Sequence, residues 1–289
     1  MNRKIIAIAV VIVVVSVIFG VYFFYQPAET QTANKKVAKL AIDKSGENWI
    51  KTNATSLFTV YASKEDYVIK NGTIFSNKLL FEEKPGMEDL YNEIGVVNEP
   101  QKTVVVVPVF TASAYTEPGF YTYYNGKCDS SCLTIPITDL IPTHASINAV
   151  QVLMILGYEF VTDVDIDKNP GILKKYDKVI MLHSEYVTKK EFDAITNHPK
   201  VLYLYPNALY AEIKTDYDKN MITLIRGHSY PSPDIGNGFG WKFDNTNYEY
   251  DHDCFDMKFY KIDNGMMLNC WPEDIIHTNK DLLKSIKKF

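Results

Sequence analysis

The stretch that decides the fold runs from Lys178 to Phe192 and reads KVIMLHSEYVTKKEF. Four apolar residues, Val179 to Leu182, have the length of a buried strand, and the polar run His183-Ser-Glu185 follows at once. Thr188 and Glu191 then have capping-box spacing, which predicts that a helix begins at Thr188. A strand that ends in polar residues just before a helix predicts a site at the carboxyl edge of a sheet, where open α/β folds bind ligands.

Strand and helix patterns alternate on both sides of this stretch. The β-branched run from Val104 to Phe110 is typical of a strand buried on both faces of a parallel sheet. Further strands are predicted at 158–164, 179–182 and 201–205, and helices at 144–156, 170–176 and 188–197. This alternation predicts βαβ units and a three-layer α/β sandwich with a mostly parallel sheet. After Pro206 the pattern predicts an antiparallel strand at 221–226, an added β-hairpin at 259–269 and a closing helix at 274–287.

The N-terminus carries an uncharged segment from Ile5 to Tyr25, after Arg3 and Lys4. At about 1.5 Å per residue it spans the roughly 30 Å hydrocarbon layer, so we expect a transmembrane anchor. A cleaved signal peptide is the alternative, with a shorter apolar region and a small-residue cleavage site. The basic residues favour a cytoplasmic N-terminus and an extracytoplasmic remainder. The predicted organisation is an anchor at 1–26, a polar linker at 27–38, a small extension at 39–100 packed on the main domain, and an α/β domain at 101–289.

Four cysteines fall into two local pairs, which fits an oxidising compartment. We expect disulfides Cys128–Cys132 and Cys254–Cys270, although four cysteines allow three pairings. Half of a zinc site at the first pair is the alternative, but the chain offers no second close pair to complete it. The net charge is -5 and no long basic run occurs, so nucleic acid is a poor candidate partner.

The sequence lacks a G-x-S-x-G elbow and a Gly-rich P-loop. Asp163-Val-Asp-Ile-Asp167 ends a predicted strand, where alternation would place its three carboxylates on one face as a cation site or a solvated strand end. His228, like the other loop histidines, has the sequence context of a surface or hydrogen-bonded residue rather than of a ligand. His183 differs because it follows a buried strand and lies two residues from Glu185. Such a pair orients a metal or acts as an acid and base, and the alternative is a strand-end hydrogen-bond network.

Three segments together resemble a known family. They are Tyr176 to Glu191, YDKVIMLHSEYVTKKE, then Val201 to Tyr210, VLYLYPNALY, and Pro108 to Tyr115, PVFTASAY. In this order they resemble the C-terminal domain of the large subunit of N,N-dimethylformamidase, where a Tyr-Asp strand runs into a His-Pro-Glu-Tyr-Trp segment. The resemblance covers about residues 102 to 212. It implies a flavodoxin-like fold similar to class I glutamine amidotransferases.

The resemblance also implies a metal centre, because the formamidase holds iron through two tyrosines and a glutamate and cleaves an amide C–N bond. On this sequence Glu185 would be the carboxylate ligand, His183 its neighbour and Tyr115 one tyrosine. The second tyrosine is predicted as Tyr124, with two other nearby options, Tyr121 and Tyr123. Phenolate and carboxylate oxygens suit ferric iron, which polarises a carbonyl or activates water.

The chain departs from the family at Ser184 and Val187, which replace the proline and tryptophan of the motif. Asn207 and Ala208 stand where an amidotransferase would carry its cysteine nucleophile, so thiol chemistry is not expected. The whole chain also resembles uncharacterised membrane-anchored proteins of ammonia-oxidising archaea. The first functional prediction is a non-catalytic binding or cell-envelope module on the membrane. The alternative is a metal-dependent hydrolase of small amides.

Overall fold

The computed structural model describes residues 34–35, 37–38, 48–70 and 73–289. The predicted anchor at 1–26 and most of the predicted linker lie outside the described residues. Among the residues that are described, no helix is long and apolar enough to cross a membrane.

A six-stranded sheet forms the centre of the molecule. In spatial order its strands are β14 (Phe259–Ile262), β15 (Gly265–Leu268), β11 (Val201–Tyr203), β9 (Lys178–Met181), β6 (Thr103–Val107) and β8 (Glu159–Thr162). Five neighbouring strands, β15 to β8, are parallel, and β14 pairs antiparallel with β15 as the added hairpin. Counted along the chain, the parallel strands have the spatial order 2-1-3-4-5. The prediction of an α/β fold with a mostly parallel sheet is confirmed.

Both faces of this sheet are buried, which explains its nearly uninterrupted apolar runs. Alternate residues along a strand point to opposite faces. Val105, Ile180 and Leu202 belong to one apolar core, whereas their neighbours Val104 and Val179 belong to the other. All five side chains are at most 1% exposed. Burial of this kind contributes about 1.5–3 kcal/mol for each large apolar side chain. Both faces of each strand therefore require apolar residues.

Seven α-helices between Glu88 and Lys288 connect and cover the strands. They are α1 (Glu88–Ile94), α2 (Val109–Ala114), α3 (Phe120–Tyr124), α4 (Ile147–Ile155), α5 (Asp163–Lys168), α6 (Lys189–Thr196) and α7 (Lys280–Lys288). The segment Pro170–Lys175 forms a 3₁₀ helix. At the start of α6, Thr188 Oγ1 accepts a hydrogen bond from the Glu191 backbone N–H, at the predicted N-cap position.

Two predicted strands end earlier than their sequence patterns indicate. β6 ends at Val107, since Pro108 lacks the N–H of a ladder residue and α2 begins directly after it. β8 ends at Thr162, whose hydroxyl caps α5 by accepting a hydrogen bond from the Asp165 N–H. The run Asp163–Lys168 is therefore helical, and the expectation of three carboxylates on one strand face is wrong.

A second sheet lies at the carboxyl edge of the first. Its order is β10 (Tyr186–Thr188), β12 (Ala211–Asp216), β13 (Met221–Arg226) and β7 (Thr134–Pro136). The residues before the main sheet form β1 (Trp49–Lys51), β2 (Thr59–Ser63) and β5 (Leu79–Glu82), with a separate hairpin of β3 (Val68–Lys70) and β4 (Thr73–Phe75). Phe58, Phe81 and Ile94 of this N-terminal part belong to the same core as Val105. The domain boundaries stay a prediction.

The cysteines form the two expected disulfides. Cys128 is bonded to Cys132 and Cys254 to Cys270, and the described chain contains no free thiol. The first bridge lies in the segment after α3. The second bridge joins the loop before β14 to Cys270, which directly precedes Trp271.

Helices α5 and α6 bury an unusual pair of acids. Asp163 is 1% exposed, and its two carboxylate oxygens accept hydrogen bonds from the Phe110 and Val164 N–H groups, each at 2.7 Å. Glu191 is fully buried, and neither of its carboxylate oxygens has a hydrogen-bond partner. Burial, together with the charges of Asp163 and Asp167, raises the pKa of Glu191 well above its usual range. Ionisation of Glu191 is therefore costly in the folded state.

Replacement Glu191→Gln is expected to stabilise the protein above about pH 6 and to change little near pH 4. A carboxyl group whose pKa rises on folding favours the fold while protonated, and that contribution is lost as pH rises through the folded-state pKa. Thermal unfolding at pH 4 and pH 8 measures the effect, at about 2–4 °C for each kcal/mol. The exposed residue Glu65, replaced by Gln, is the control and should show no such difference. Equal melting temperatures of the Glu191→Gln and parent proteins at pH 8 would contradict the assignment.

Candidate functional site

Glu185 is fixed by hydrogen bonds to its backbone from two sides. The Thr111 hydroxyl, on α2, accepts hydrogen bonds from the N–H groups of Glu185 at 3.0 Å and Tyr186 at 3.2 Å. The Glu185 carbonyl accepts from the N–H groups of Tyr210 and Ala211, both at 2.9 Å. The elements after β6, β9 and β11 thus meet at this residue, at the carboxyl edge of the parallel sheet.

The Glu185 carboxylate is fully buried and is surrounded by donors. Oε2 accepts a hydrogen bond from the Tyr115 hydroxyl at 3.0 Å, and Oε1 accepts one from the Tyr121 hydroxyl at 3.3 Å. The His228 imidazole donates through Nε2 to Oε1. The two phenol oxygens are themselves 2.9 Å apart, and their rings stack with centroids 4.4 Å apart. Three oxygen-bearing groups therefore converge on one small volume.

Hydrogen bonding keeps this carboxylate charged. Burial raises the pKa of Glu185, but the hydrogen bond and charge of His228, with contributions from His183 and Tyr115, outweigh it, so the pKa is lowered overall. The reverse holds for the phenols, since burial and then the Glu185 charge raise the pKa of Tyr115 and Tyr121 well above their usual range. In the protein alone the site is one carboxylate among neutral phenols. A bound cation would reverse the effect on the phenols and favour phenolate.

His183 is locked into one orientation. Its backbone N–H donates to Ser146 Oγ at 3.0 Å, and its Nδ1 hydrogen-bonds to the carbonyl of His144. Its ring and that of Trp271 pack edge to face, with centroids 4.5 Å apart. Burial lowers the pKa of His183, which favours the neutral ring. Because Nδ1 carries the proton that meets a carbonyl, the lone pair of Nε2 faces Glu185 Oε2, 3.5 Å away.

This contact leaves two acceptors facing each other. Nε2 of His183 has no hydrogen-bond partner, although both it and Glu185 are fully buried. A buried acceptor without a donor costs about 1–3 kcal/mol. A proton, a water molecule or a cation between Nε2 and Oε2 would remove that cost, so the geometry suits a ligand that carries positive charge.

His228 forms the outer side of the site and was not predicted from the sequence. It follows Gly227, whose φ of 126° and close approach to Ala211 leave no room for a side chain. The His228 ring contacts four phenol rings with centroids 4.6 to 6.2 Å away, those of Tyr121, Tyr124, Tyr186 and Tyr210. Its side chain is 21% exposed, so the site reaches the surface here. His228 is therefore a hydrogen-bonded histidine in direct contact with Glu185.

Of the residues proposed for a metal, the structure brings together Tyr115, Glu185 and the neighbouring His183. Tyr121, rather than the predicted Tyr124, donates to Glu185. The Tyr124 ring packs against Tyr121, with centroids 5.6 Å apart. The spacing between residues 115 and 124 could not decide between these tyrosines, because α3 presents several of them in one turn.

A second carboxylate near the site was also missed. Glu249 is partly buried and lies close enough to Glu185 and His228 for their charges to act on it. Burial, followed by the negative charge of Glu185, raises the pKa of Glu249. A carboxylate with a raised pKa is a better proton acceptor near neutral pH than an exposed one. The loop that carries it has no pattern that distinguishes it from a solvated turn.

The donor set limits which ligands the site could hold. No three histidine, cysteine, aspartate or glutamate side chains of the described chain converge in a way that could hold a metal ion. A metal here would need the phenol oxygens of Tyr115 and Tyr121 beside Glu185. Comparison with known proteins gives no family assignment, since no protein-family model matches the chain and no curated protein matches it.

Replacement Tyr115→Phe is expected to destabilise the protein by about 1.5–3 kcal/mol, the usual contribution of a hydrogen bond to a charged group. The Glu185 carboxylate would lose its 3.0 Å donor while it stayed buried. Urea unfolding at pH 7 measures the loss. Tyr123→Phe is the matched control, because Tyr123 lies in the neighbouring helix α3 and is half-buried like Tyr115 but makes no hydrogen bond to Glu185. Equal stabilities of the two variants would show that the Tyr115 hydrogen bond contributes nothing.

Proposed function

We propose that this protein is a membrane-anchored, extracytoplasmic hydrolase of small amide C–N bonds that uses iron held by Tyr115, Tyr121 and Glu185. The observation that carries the proposal is the convergence of these three side chains in a buried volume, with oxygen–oxygen distances of 2.9, 3.0 and 3.3 Å. Neighbouring ligands of a first-row metal with bonds near 2.0–2.1 Å are separated by roughly 2.9–3.4 Å. The donor set therefore fits a hard cation of that size.

The surroundings also fit a cation. Nε2 of His183 and Oε2 of Glu185 are acceptors that face each other without a donor between them. Two phenolates and one carboxylate would together supply three negative charges, which match trivalent iron. Such an ion acts as a Lewis acid that polarises an amide carbonyl.

The residues of the chain have distinct roles in this proposal. His183 presents its Nε2 lone pair beside Glu185 Oε2, since its ring is fixed by the Nδ1 hydrogen bond to the His144 carbonyl and its backbone by Ser146. His228 donates to the same carboxylate from the exposed side, where a substrate would enter. We assign Glu249, whose charge interacts with those of Glu185 and His228, as the general base: it would accept a proton from the attacking water and return it to the leaving nitrogen, so that the amide and water give a carboxylic acid and an amine.

The fold also supports a ligand site at the position of Glu185. The strand order 2-1-3-4-5 is that of flavodoxin-like folds, which bind ligands at the carboxyl edge near the first and third strands. Glu185 follows β9, the third parallel strand, and Tyr115 follows β6, the first. We therefore propose an amidotransferase-like sandwich. The two disulfides and the uncharged segment at 5–25 support an extracytoplasmic, membrane-anchored setting.

A non-catalytic binding or cell-envelope module is the second candidate. Glu185 and His183 are fully buried, and a carboxylate with this many donors is also a stable structural network. In that case the polar cluster would only connect the elements after β6, β9 and β11, and no metal would bind.

Metal analysis of the full-length protein in detergent distinguishes the two candidates. We expect one iron per chain and a visible phenolate-to-iron charge-transfer band. Both should be lost in Glu185→Gln and strongly reduced in Tyr121→Phe, whereas Tyr123→Phe should keep them. Activity would be followed as amine release from short formamides and acetamides.

Glu249→Gln provides the test of the catalytic assignment. It should retain iron but lose about 10²–10⁴-fold in rate, the usual contribution of a general base. A metal-free parent protein with an intact fold after reconstitution with ferric and ferrous iron would exclude the hydrolase and leave the binding module.

A further inference from the structure

A second candidate site lies at the opposite edge of the parallel sheet. A cavity of about 380 Å³ opens beside the amino end of β9, and we name it the basic cavity. Its lining residues come from α1, the segment before β6, β9 and α7: Glu93, Glu99, Gln101, Lys178, Lys284, Lys287 and Lys288. Lys178 is the first residue of β9, whose other end leads to Glu185. The basic cavity is therefore separate from the candidate metal centre.

The lining of the basic cavity carries an excess of positive charge. Four lysines and two glutamates leave two positive charges unbalanced. Lys284 pairs with Glu93 at 2.6 Å, and Lys287 lies 3.3 Å from Glu99. In the described part of the chain, no carboxylate lies within ion-pair distance of the Lys178 or Lys288 ammonium groups. Both glutamates thus pair with other lysines. The ammonium groups of Lys178 and Lys288 belong to the lining and have no paired carboxylate.

Lys178 is the most informative of these residues. It is only 7% exposed and lies in a strand whose other residues are apolar. Lysines 287 and 288 are explained by the C-terminal end of α7, where cations favour the helix dipole. Lys178 has no such explanation. Burial, followed by the charge of Lys200, lowers the pKa of Lys178, and the charges of Glu99 and Asp177 offset this only in part.

We propose that the basic cavity binds a phosphate group, either as free phosphate or as the headgroup of an anionic phospholipid. A phosphate monoester carries nearly two negative charges at neutral pH, which matches the two unbalanced charges of the lining. Lysine binds phosphate as a point charge through ammonium donors, which suits a cavity built from flexible lysine side chains. Lys178 and Lys288 supply the ammonium groups that have no carboxylate of their own.

The test uses the full-length protein in neutral detergent, titrated with inorganic phosphate and with dihexanoyl phosphatidic acid. Calorimetry and thermal unfolding compare each ligand with chloride at the same ionic strength. We expect binding of both ligands to weaken by about tenfold or more in Lys178→Met, which keeps the apolar stem and removes the charge. Lys288→Met, at an exposed position that cannot disturb the core, should weaken binding in the same direction.

Two controls make the result specific. Lys261→Met changes an exposed lysine on β14, away from the basic cavity, and should bind within about twofold of the parent protein. Glu185→Gln removes the candidate metal ligand and should leave phosphate binding unchanged, so that failure of the metal centre is distinguishable. Equal affinities for the two ligands would identify free phosphate, and tenfold tighter binding of phosphatidic acid would identify a lipid headgroup. The proposal is overturned if neither ligand binds better than chloride, or if Lys261→Met loses as much affinity as Lys178→Met.

Discussion

The ionised carboxylate of Glu185 must be compensated in a place that water does not reach, and the arrangement around it follows from that constraint. An isolated buried charge would cost many kcal/mol or would take up a proton. Tyr115, Tyr121 and His228 meet the requirement as donors, while Thr111 fixes the backbone. Thr111 and Tyr115 follow β6, Tyr121 lies on α3, and His228 follows β13. Their convergence links the packing of the loops to the charge state of one side chain.

The central sheet makes such a convergence possible because it is buried on both faces. Its interior residues leave no position for polar chemistry, so polar side chains collect where the strands end. Pro108 contributes by ending β6 early, which lets α2 begin at once and brings Thr111 over the next strand end. The opposite edge of the sheet also carries a polar side chain. There Lys178 enters a strand as its first residue and places a cation beside an open cavity.

The parallel sheet, the capped helix after Thr188 and both disulfides could be predicted from the sequence, because each depends on local spacing. The contact between Tyr115 and Glu185 could be expected only through the family resemblance, since 70 residues separate them. His228 and Glu249 could not be found, because their positions depend on how a loop folds over the second sheet. The Asp163 helix was missed since alternating aspartates and apolar residues fit a strand as well as the first turns of a capped helix.

The packing of Trp271 against His183 has a consequence for how the site responds to reduction. Trp271 directly follows Cys270, and its backbone N–H donates to the carbonyl of Asp251 at 2.7 Å. The loop closed by the Cys254–Cys270 bridge therefore positions the Trp271 ring against His183. Contacts between residues this far apart in sequence carry a loop-closure cost that local contacts do not. The wall behind His183 therefore depends on a segment that the Cys254–Cys270 bridge holds together, so reduction of this bridge would loosen the packing around the His183 ring.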